Sequence, residues 1–268
     1  MRQFLIALRF LTILPLKGHM MNEADLAKSS SAFVLVGLVQ GIMLIAADYL
    51  CGIVFHPDLV IVMILLVLVL SNGGFHLDGL SDTFDALAAK TQGNEDIDKQ
   101  KRLLIMKDGK SGPAGITAIV FSLAIKYLSL RNISHFSVLT YYSSLILMPT
   151  ISKWTIVVSM FYGKPARQDG LGKIFINSVG LKEVIISTSI FFLLLIPLPV
   201  IFISYGFTMK YAFYSLLLVT MYVLCRLWVS FFNRKFGGLT GDTLGAISES
   251  TEITFLLMVI VWSRFSIY

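Results

Sequence analysis

The run Leu59-Val-Ile-Val-Met-Ile-Leu-Leu-Val-Leu-Val-Leu70, followed three residues later by Gly74-Phe-His-Leu-Asp-Gly-Leu-Ser-Asp-Thr-Phe-Asp85, decides how this chain is read. The first half is wholly apolar, as a membrane-embedded helix requires. The second half sets Asp78, Asp82 and Asp85 at i, i+4 and i+7. On a helix these positions fall within an arc of roughly 60°. Three like charges on one face repel each other and add no stability of their own. They make sense around a hard divalent cation such as Mg²⁺, which takes oxygen ligands and bridges to substrate phosphates. Carboxylates placed at the edge of a membrane are expensive and mark function.

The rest of the composition agrees. Of 268 residues, 56% are apolar and 14% charged, and mean hydropathy is +0.79. A soluble domain carries about 25% charge. The chain therefore reads as an all-α polytopic membrane protein, a single integral-membrane catalytic domain over residues 1–268. Net charge of +6 follows from the positive-inside rule and implies no nucleic-acid partner. Cys51 and Cys225 form no disulfide framework or zinc spacing and read as membrane-embedded thiols. Phe4–Leu16 is apolar but short, contains Arg9 and Pro15, and lacks a small-residue cleavage site. It reads as an interfacial or re-entrant helix, not a secretory signal.

About seven spans are expected, near Ala32–Phe55, Leu59–Asn72, Pro113–Leu130, Val138–Tyr162, Val184–Ser204, Tyr211–Phe232 and Ile253–Phe265. The connections 53–58, 131–137 and 205–210 are short. The connections 73–112, 163–182 and 233–252 are long and polar and fall on one side, with the N-terminus. Sixteen of the 22 Lys and Arg residues lie on that side, which places it in the cytoplasm.

Further polar motifs fall on the same face. Arg102-Leu-Leu-Ile-Met-Lys-Asp-Gly-Lys-Ser-Gly-Pro-Ala-Gly115 combines Arg102, Lys107 and Lys110 with Asp108 and a glycine turn opening the next span. Pro113 suits a first helical turn, and exposed N–H groups at a helix start bind phosphate. The Gly-Lys-Ser here lacks the upstream glycine of a Walker A loop. Gly237-Gly-Leu-Thr-Gly-Asp-Thr-Leu-Gly-Ala246 surrounds Asp242 with glycines and with Thr240 and Thr243. Lys153 and Arg226 lie inside expected spans, either snorkelling to the surface or facing the polar site to neutralise phosphate. His76 is on the face opposite the aspartates and reads as a local hydrogen-bonding partner. Carboxylates, glycine turns and cations at one face suit a pyrophosphate substrate. Residue chemistry alone thus reaches a Mg²⁺-dependent phosphotransferase, with an aspartate to accept the proton of an attacking hydroxyl.

The motifs GFHLDGLSDTFDAL (74–87), RLLIMKDGKSGPAG (102–115) and GGLTGDTLGAISE (237–249) resemble the cobalamin synthases, or adenosylcobinamide-GDP ribazoletransferases. The opening ALRFLTILPL (7–16) is similar as well. The chain departs from that family's pattern at Gly109-Lys110, where a Ser-Arg pair is usual, and at Lys153, where Arg is frequent. Both changes keep the positive charge but lose bidentate geometry. The resemblance implies the last assembly step of the cobalamin nucleotide loop in the cytoplasmic (inner) membrane of a prokaryote. α-Ribazole, or its 5′-phosphate, attacks the phosphorus of adenosylcobinamide-GDP, and GMP leaves. Asp78, Asp82 and Asp85 are then the metal ligands, and Asp82, Asp85 and Asp242 the catalytic carboxylates. Arg102, Lys107, Asp108, Lys110, Lys153, Arg226 and Thr240 are expected to bind substrate. Homo-oligomerisation is left open.

Two rival readings have a definite form. A CDP-alcohol phosphotransferase also clusters aspartates and releases a nucleoside monophosphate, but its signature continues with an Ala-Arg pair where this chain has Ala86-Leu-Ala-Ala-Lys90. A transporter would use Lys153 and Arg226 as a path, but the charges gather at one face and no repeat pairs two halves.

Overall fold

The computed structural model describes residues 1–16, 22–167, 171–195 and 207–265. Among them the chain is helical throughout, with one isolated bridge, Pro165 to Leu239. The helices are α1 (Arg2–Leu11), α2 (Glu23–Ser29), α3 (Phe33–Gly52), α4 (Pro57–Ser71), α5 (Phe75–Ala88), α6 (Glu95–Lys107), α7 (Pro113–Phe136), α8 (Val138–Tyr162), α9 (Leu171–Ser178), α10 (Leu181–Leu195), α11 (Phe207–Phe236) and α12 (Gly241–Phe265).

Among the described residues, five helical stretches are long and apolar enough to cross a membrane: Glu23–Gly52, Pro113–Phe136, Val138–Tyr162, Ser215–Phe236 and Gly241–Arg264. The expected count of about seven is thus reached only in part. The α4 helix has 15 residues, a rise of about 22 Å against a hydrocarbon core of about 30 Å. It counts as a sixth span only together with α5, from which it is bent by 85°. Expected span Val184–Ser204 is helical to Leu195, and its remainder lies outside the described residues. The α1 helix, at ten residues, is too short to cross, as its sequence implied.

The last span also differs. Residues 241–252, read as polar loop, are helical and belong to a 25-residue α12. Their polar side chains are buried against partners instead of solvated. Glu249 and Glu252 both receive Lys126 of α7, at 2.7 and 2.5 Å, and Ser122 donates to Glu249 at 2.9 Å. Lys153 of α8 is fully buried beside these charges. Two lysines and two glutamates cancel formally in the bundle interior. Neither Lys126 nor Lys153 reaches the surface, so the snorkelling reading of Lys153 does not hold. Around this cluster α8 forms the centre, packed by α3, α12, α10 and α11.

The α4–α5 corner is a Schellman motif. Gly74 N–H donates to Val69 O at 2.9 Å and Gly73 N–H to Leu70 O at 3.0 Å. Both glycines have positive φ, 66° and 75°, which costs a residue with a Cβ but not glycine. The corner turns α5 across the bundle, where it packs on α12 and α7 instead of running alongside them.

Candidate active site

Two helix starts meet on α5, and each is joined to it differently. Asp85, in the last turn of α5, accepts hydrogen bonds from Gly112 N–H at 2.6 Å and Gly115 N–H at 2.9 Å. It therefore satisfies donors that α7 leaves open at its N-terminus. This single carboxylate ties the second glycine motif to the first.

The α12 start is closed by a reciprocal cap. Thr243 N–H donates to Thr240 Oγ1 at 3.2 Å, and Thr240 N–H to Thr243 Oγ1 at 2.8 Å, the threonine version of a capping box. Thr240 Oγ1 also donates to Asp242 Oδ2 at 3.3 Å. Asp242 thus sits in the first turn of α12, and Asp78 in the first turn of α5, where the helix dipole favours an anion. Main chains touch at these crossings. A Cβ on Gly79 would come within 2.7 Å of Asp242 O, and one on Gly172 within 2.8 Å of Gly241 N.

The loop after α8 adds a cation. Ala166 N–H donates to Leu239 O at 2.9 Å, and Leu239 N–H to Lys164 O at 2.7 Å. This pairing brings Arg167 Nη1 to 3.8 Å from Asp242 Oδ2, while Nη2 donates to Leu103 O at 2.7 Å.

Asp82 lies among these charges. Partial burial first, then repulsion from Asp78, Asp242 and Asp85, pushes its carboxyl up to about 6, with Arg167 opposing. As α5 crosses the starts of α7 and α12, Asp82 lies outside the membrane-spanning segments. Carboxylates that raise one another in this way favour a cation among them. No three His, Cys, Asp or Glu side chains among the described residues already close around an ion.

The other expected site residues lie as follows. Asp78, Asp82, Asp85, Asp242 and Thr240 come together. Lys107, Asp108 and Lys110 are exposed around the turn that ends α6, with Lys110 and Asp108 at 3.8 Å. Arg102 is buried and donates to Lys235 O at 3.2 Å, docking α6 on the end of α11. Lys153 belongs to the interior charge cluster. Arg226 is exposed on α11, 3.9 Å above the Tyr162 ring. His76 is buried and is a hydrogen-bonding partner, with Nδ1 3.2 Å from Ser248 Oγ and 3.4 Å from Asn72 Nδ2. Sequence reasoning gave Arg167 no place beside Asp242. The signal available was a lone arginine in a loop on the motif-bearing face.

Apolar helices of spanning length with carboxylates and helix starts gathered at one end define an integral-membrane transferase. Comparison with known sequences narrows the class. The chain belongs to the cobalamin-5-phosphate synthase family, whose profile matches residues 3–260. It is similar to the adenosylcobinamide-GDP ribazoletransferase of Thermodesulfovibrio yellowstonii, with 37% identity over 264 residues, 98% of this chain and 97% of the relative. The protein of the same name from Geotalea daltonii is 34% identical over 271 residues, covering 99% and 100%. That from Clostridium tetani is 32% identical over 259 residues, covering 96% and 95%. No solved structure matches the chain.

Proposed function

We propose that this protein transfers the adenosylcobinamide phosphate moiety from adenosylcobinamide-GDP to α-ribazole or its 5′-phosphate. A ribose hydroxyl oxygen forms a bond to the phosphorus that bears the cobinamide. The bond from that phosphorus to the bridging oxygen breaks, and GMP leaves with the electron pair. The hydroxyl proton passes to a carboxylate. The supporting observation is that three motifs far apart in the chain, around Asp78–Asp85, Gly112–Gly115 and Thr240–Asp242, meet at one end of the bundle.

The donor set fits Mg²⁺. It is made of carboxylate oxygens, and Mg²⁺ needs only one or two of these beside substrate phosphates. Asp78 and Asp82 are the ligands in this reading. When bound, the ion neutralises the pyrophosphate oxygens and the charge gathering on the leaving phosphate. Asp85 holds the glycine turn through both its oxygens, so its part is positional. Asp242, fixed by Thr240, accepts the hydroxyl proton, and Arg167 beside it faces the phosphates. Lys107 and Lys110 on the exposed turn supply further positive charge. The positive-inside bias supports a cytoplasmic position for this face.

The test incubates purified protein with adenosylcobinamide-GDP and α-ribazole, with and without Mg²⁺, and detects cobalamin and GMP by mass spectrometry. Equimolar products only with metal are expected. Folded protein in lipid that yields no GMP refutes the reaction, and full turnover in chelator removes the metal.

A further inference from the structure

The ring of His76, on α5, is buried between two other elements. Its Nδ1 lies 3.2 Å from Ser248 Oγ of α12 and 3.4 Å from Asn72 Nδ2, at the end of α4. Asn72 Oδ1 already accepts from Gly74 N–H at 3.0 Å, so the Asn72 amide nitrogen is the donor. Nδ1 is then the acceptor, and the imidazole is neutral with its proton on Nε2. Ser248 must donate to Nδ1 as well. Its own oxygen is left to accept from Ser152 Oγ of α8, with which it is in contact. Ser152 and Ser248 are both fully buried. One directed chain, Ser152 to Ser248 to His76, thus runs from the central helix to α5, and Asn72 closes it at the α4–α5 corner. Polar groups in such an interior cost free energy unless each is paired, and these pair with one another.

The chain grips the first turn of α5 from behind. His76 stands two residues before Asp78, and helix geometry puts it on the face opposite Asp78, Asp82 and Asp85. Main-chain packing here is close, since a Cβ on Gly245 would come within 3.0 Å of His76 O. Such contacts set how near α5 approaches α12. They do not set the rotation of α5 about its own axis, because glycine offers no side chain to lock against. A ring held by two partners on separate elements does. Carboxylate oxygens stand about 5–6 Å from a helix axis, so a rotation of about 10° moves them by about 1 Å. A displacement of that size at a reacting centre costs about 10²-fold in rate.

We infer that His76 is a positioning residue: it fixes the rotational register of α5 and thereby the placement of Asp78 and Asp82. The inference rests on the function proposed above. His76 takes no part in the chemistry itself, since its acceptor nitrogen is engaged on the side away from the aspartates.

The experiment uses the full-length protein and compares wild type with His76→Leu, His76→Asn, Ser248→Ala and Thr251→Ala. Leucine fills the space without an acceptor, whereas asparagine offers an amide oxygen near the place of Nδ1. Thr251 is the control. It joins α12 to α8 one helical turn further along, through Thr155 at 3.0 Å, without reaching α5. The readouts are kcat and KM of GMP release, Mg²⁺ affinity by calorimetry, and melting temperature. His76→Leu should lower kcat by about 10²-fold with KM within about threefold, and weaken Mg²⁺ binding. His76→Asn should recover at least about tenfold of that loss. Ser248→Ala should lower kcat by about tenfold, whereas Thr251→Ala melts earlier yet keeps kcat and Mg²⁺ affinity within about twofold. Wild-type kcat in folded His76→Leu, or equal losses in Ser248→Ala and Thr251→Ala, overturns the inference. If His76→Leu does not fold, the two α12 variants decide between them. Should the wild type release no GMP, the proposed reaction fails, and hydrogen exchange of the α5 amides judges the positioning alone. Ser248→Ala should then speed exchange across α5 and Thr251→Ala should not; the same rate in both overturns the inference.

Discussion

Lys126→Met isolates what the interior charge cluster does. In the wild type, Lys126 Nζ is 2.7 Å from Glu249 and 2.5 Å from Glu252, with the three side chains 1%, 5% and 1% exposed. Lys153 supplies the second positive charge, so the four formal charges cancel. Methionine keeps much of the aliphatic stem but removes one charge, leaving a net negative cluster. Removing one partner of a buried pair costs about 3–5 kcal/mol. For a chain of this size, each kcal/mol moves the midpoint by about 2–4 °C. The expected fall is therefore roughly 6–20 °C in a detergent melting assay followed by size-exclusion fluorescence. The control is Lys126→Met with Glu249→Gln, which restores formal neutrality and keeps an oxygen near Ser122. It should recover at least half of the loss. A fall below about 2 °C for the single variant would falsify the charge-balance argument. So would a double variant less stable than the single one, since added mutations would then be damaging by size or shape alone.

Asp82→Asn should reduce GMP release by at least about 10³-fold while the melting temperature stays the same or rises, because it relieves repulsion from Asp78 and Asp242; near-normal turnover by folded variant removes Asp82 from the site. With its carboxyl pushed up to about 6, Asp82 is charged in the folded apo protein only above that value, whereas the unfolded chain ionises near 3.8. Its destabilising effect therefore grows as pH rises from about 4 to 6 and is complete above 6. Mg²⁺ competes with that proton, so its affinity should weaken steeply below pH 6, as calorimetry would record; affinity flat from pH 5 to 7 contradicts this. Asp85→Ala removes the cap on α7 and should cost about 0.5–2 kcal/mol, measured as a melting shift of a few degrees together with loss of activity. Gly79→Ala drives a methyl into Asp242 O and should depress kcat more than KM, whereas an Ala change at exposed Gly93, with nothing near its Cβ but a strained positive φ, should affect only stability.

The helical, membrane-embedded class was legible because long apolar runs leave few alternatives. The aspartate face was legible because the helix period is a property of local sequence. Residues 241–252 were misread for a physical reason. Glu249 and Glu252 lower the local hydropathy, and the cation that makes them tolerable stands more than 120 residues earlier, at Lys126. Two glutamates at i, i+3 opposite a lysine inside an apolar span were the available signal. Asp85 poses a different problem. Its partners are backbone N–H groups of Gly112 and Gly115, and main-chain donors leave no chemical mark in a sequence. Lys153 and Arg226 looked alike as charges within apolar segments, yet one is enclosed and the other exposed. That difference depends on which face of each helix meets a neighbour, which near-uniform hydrophobicity does not reveal.

The contacts of main chain on main chain at Gly79 with Asp242, and at Gly172 with Gly241, separate two things that most sites couple. The carboxylates take their spacing from the thickness of the backbone itself, which no exchange of side chains alters. The aromatic cluster beside Gly172 and Gly241, made of Phe10, Phe33 and Phe175, takes its shape wholly from side chains. A descendant of this chain can therefore repack that cluster, residue by residue, without disturbing the carboxylates.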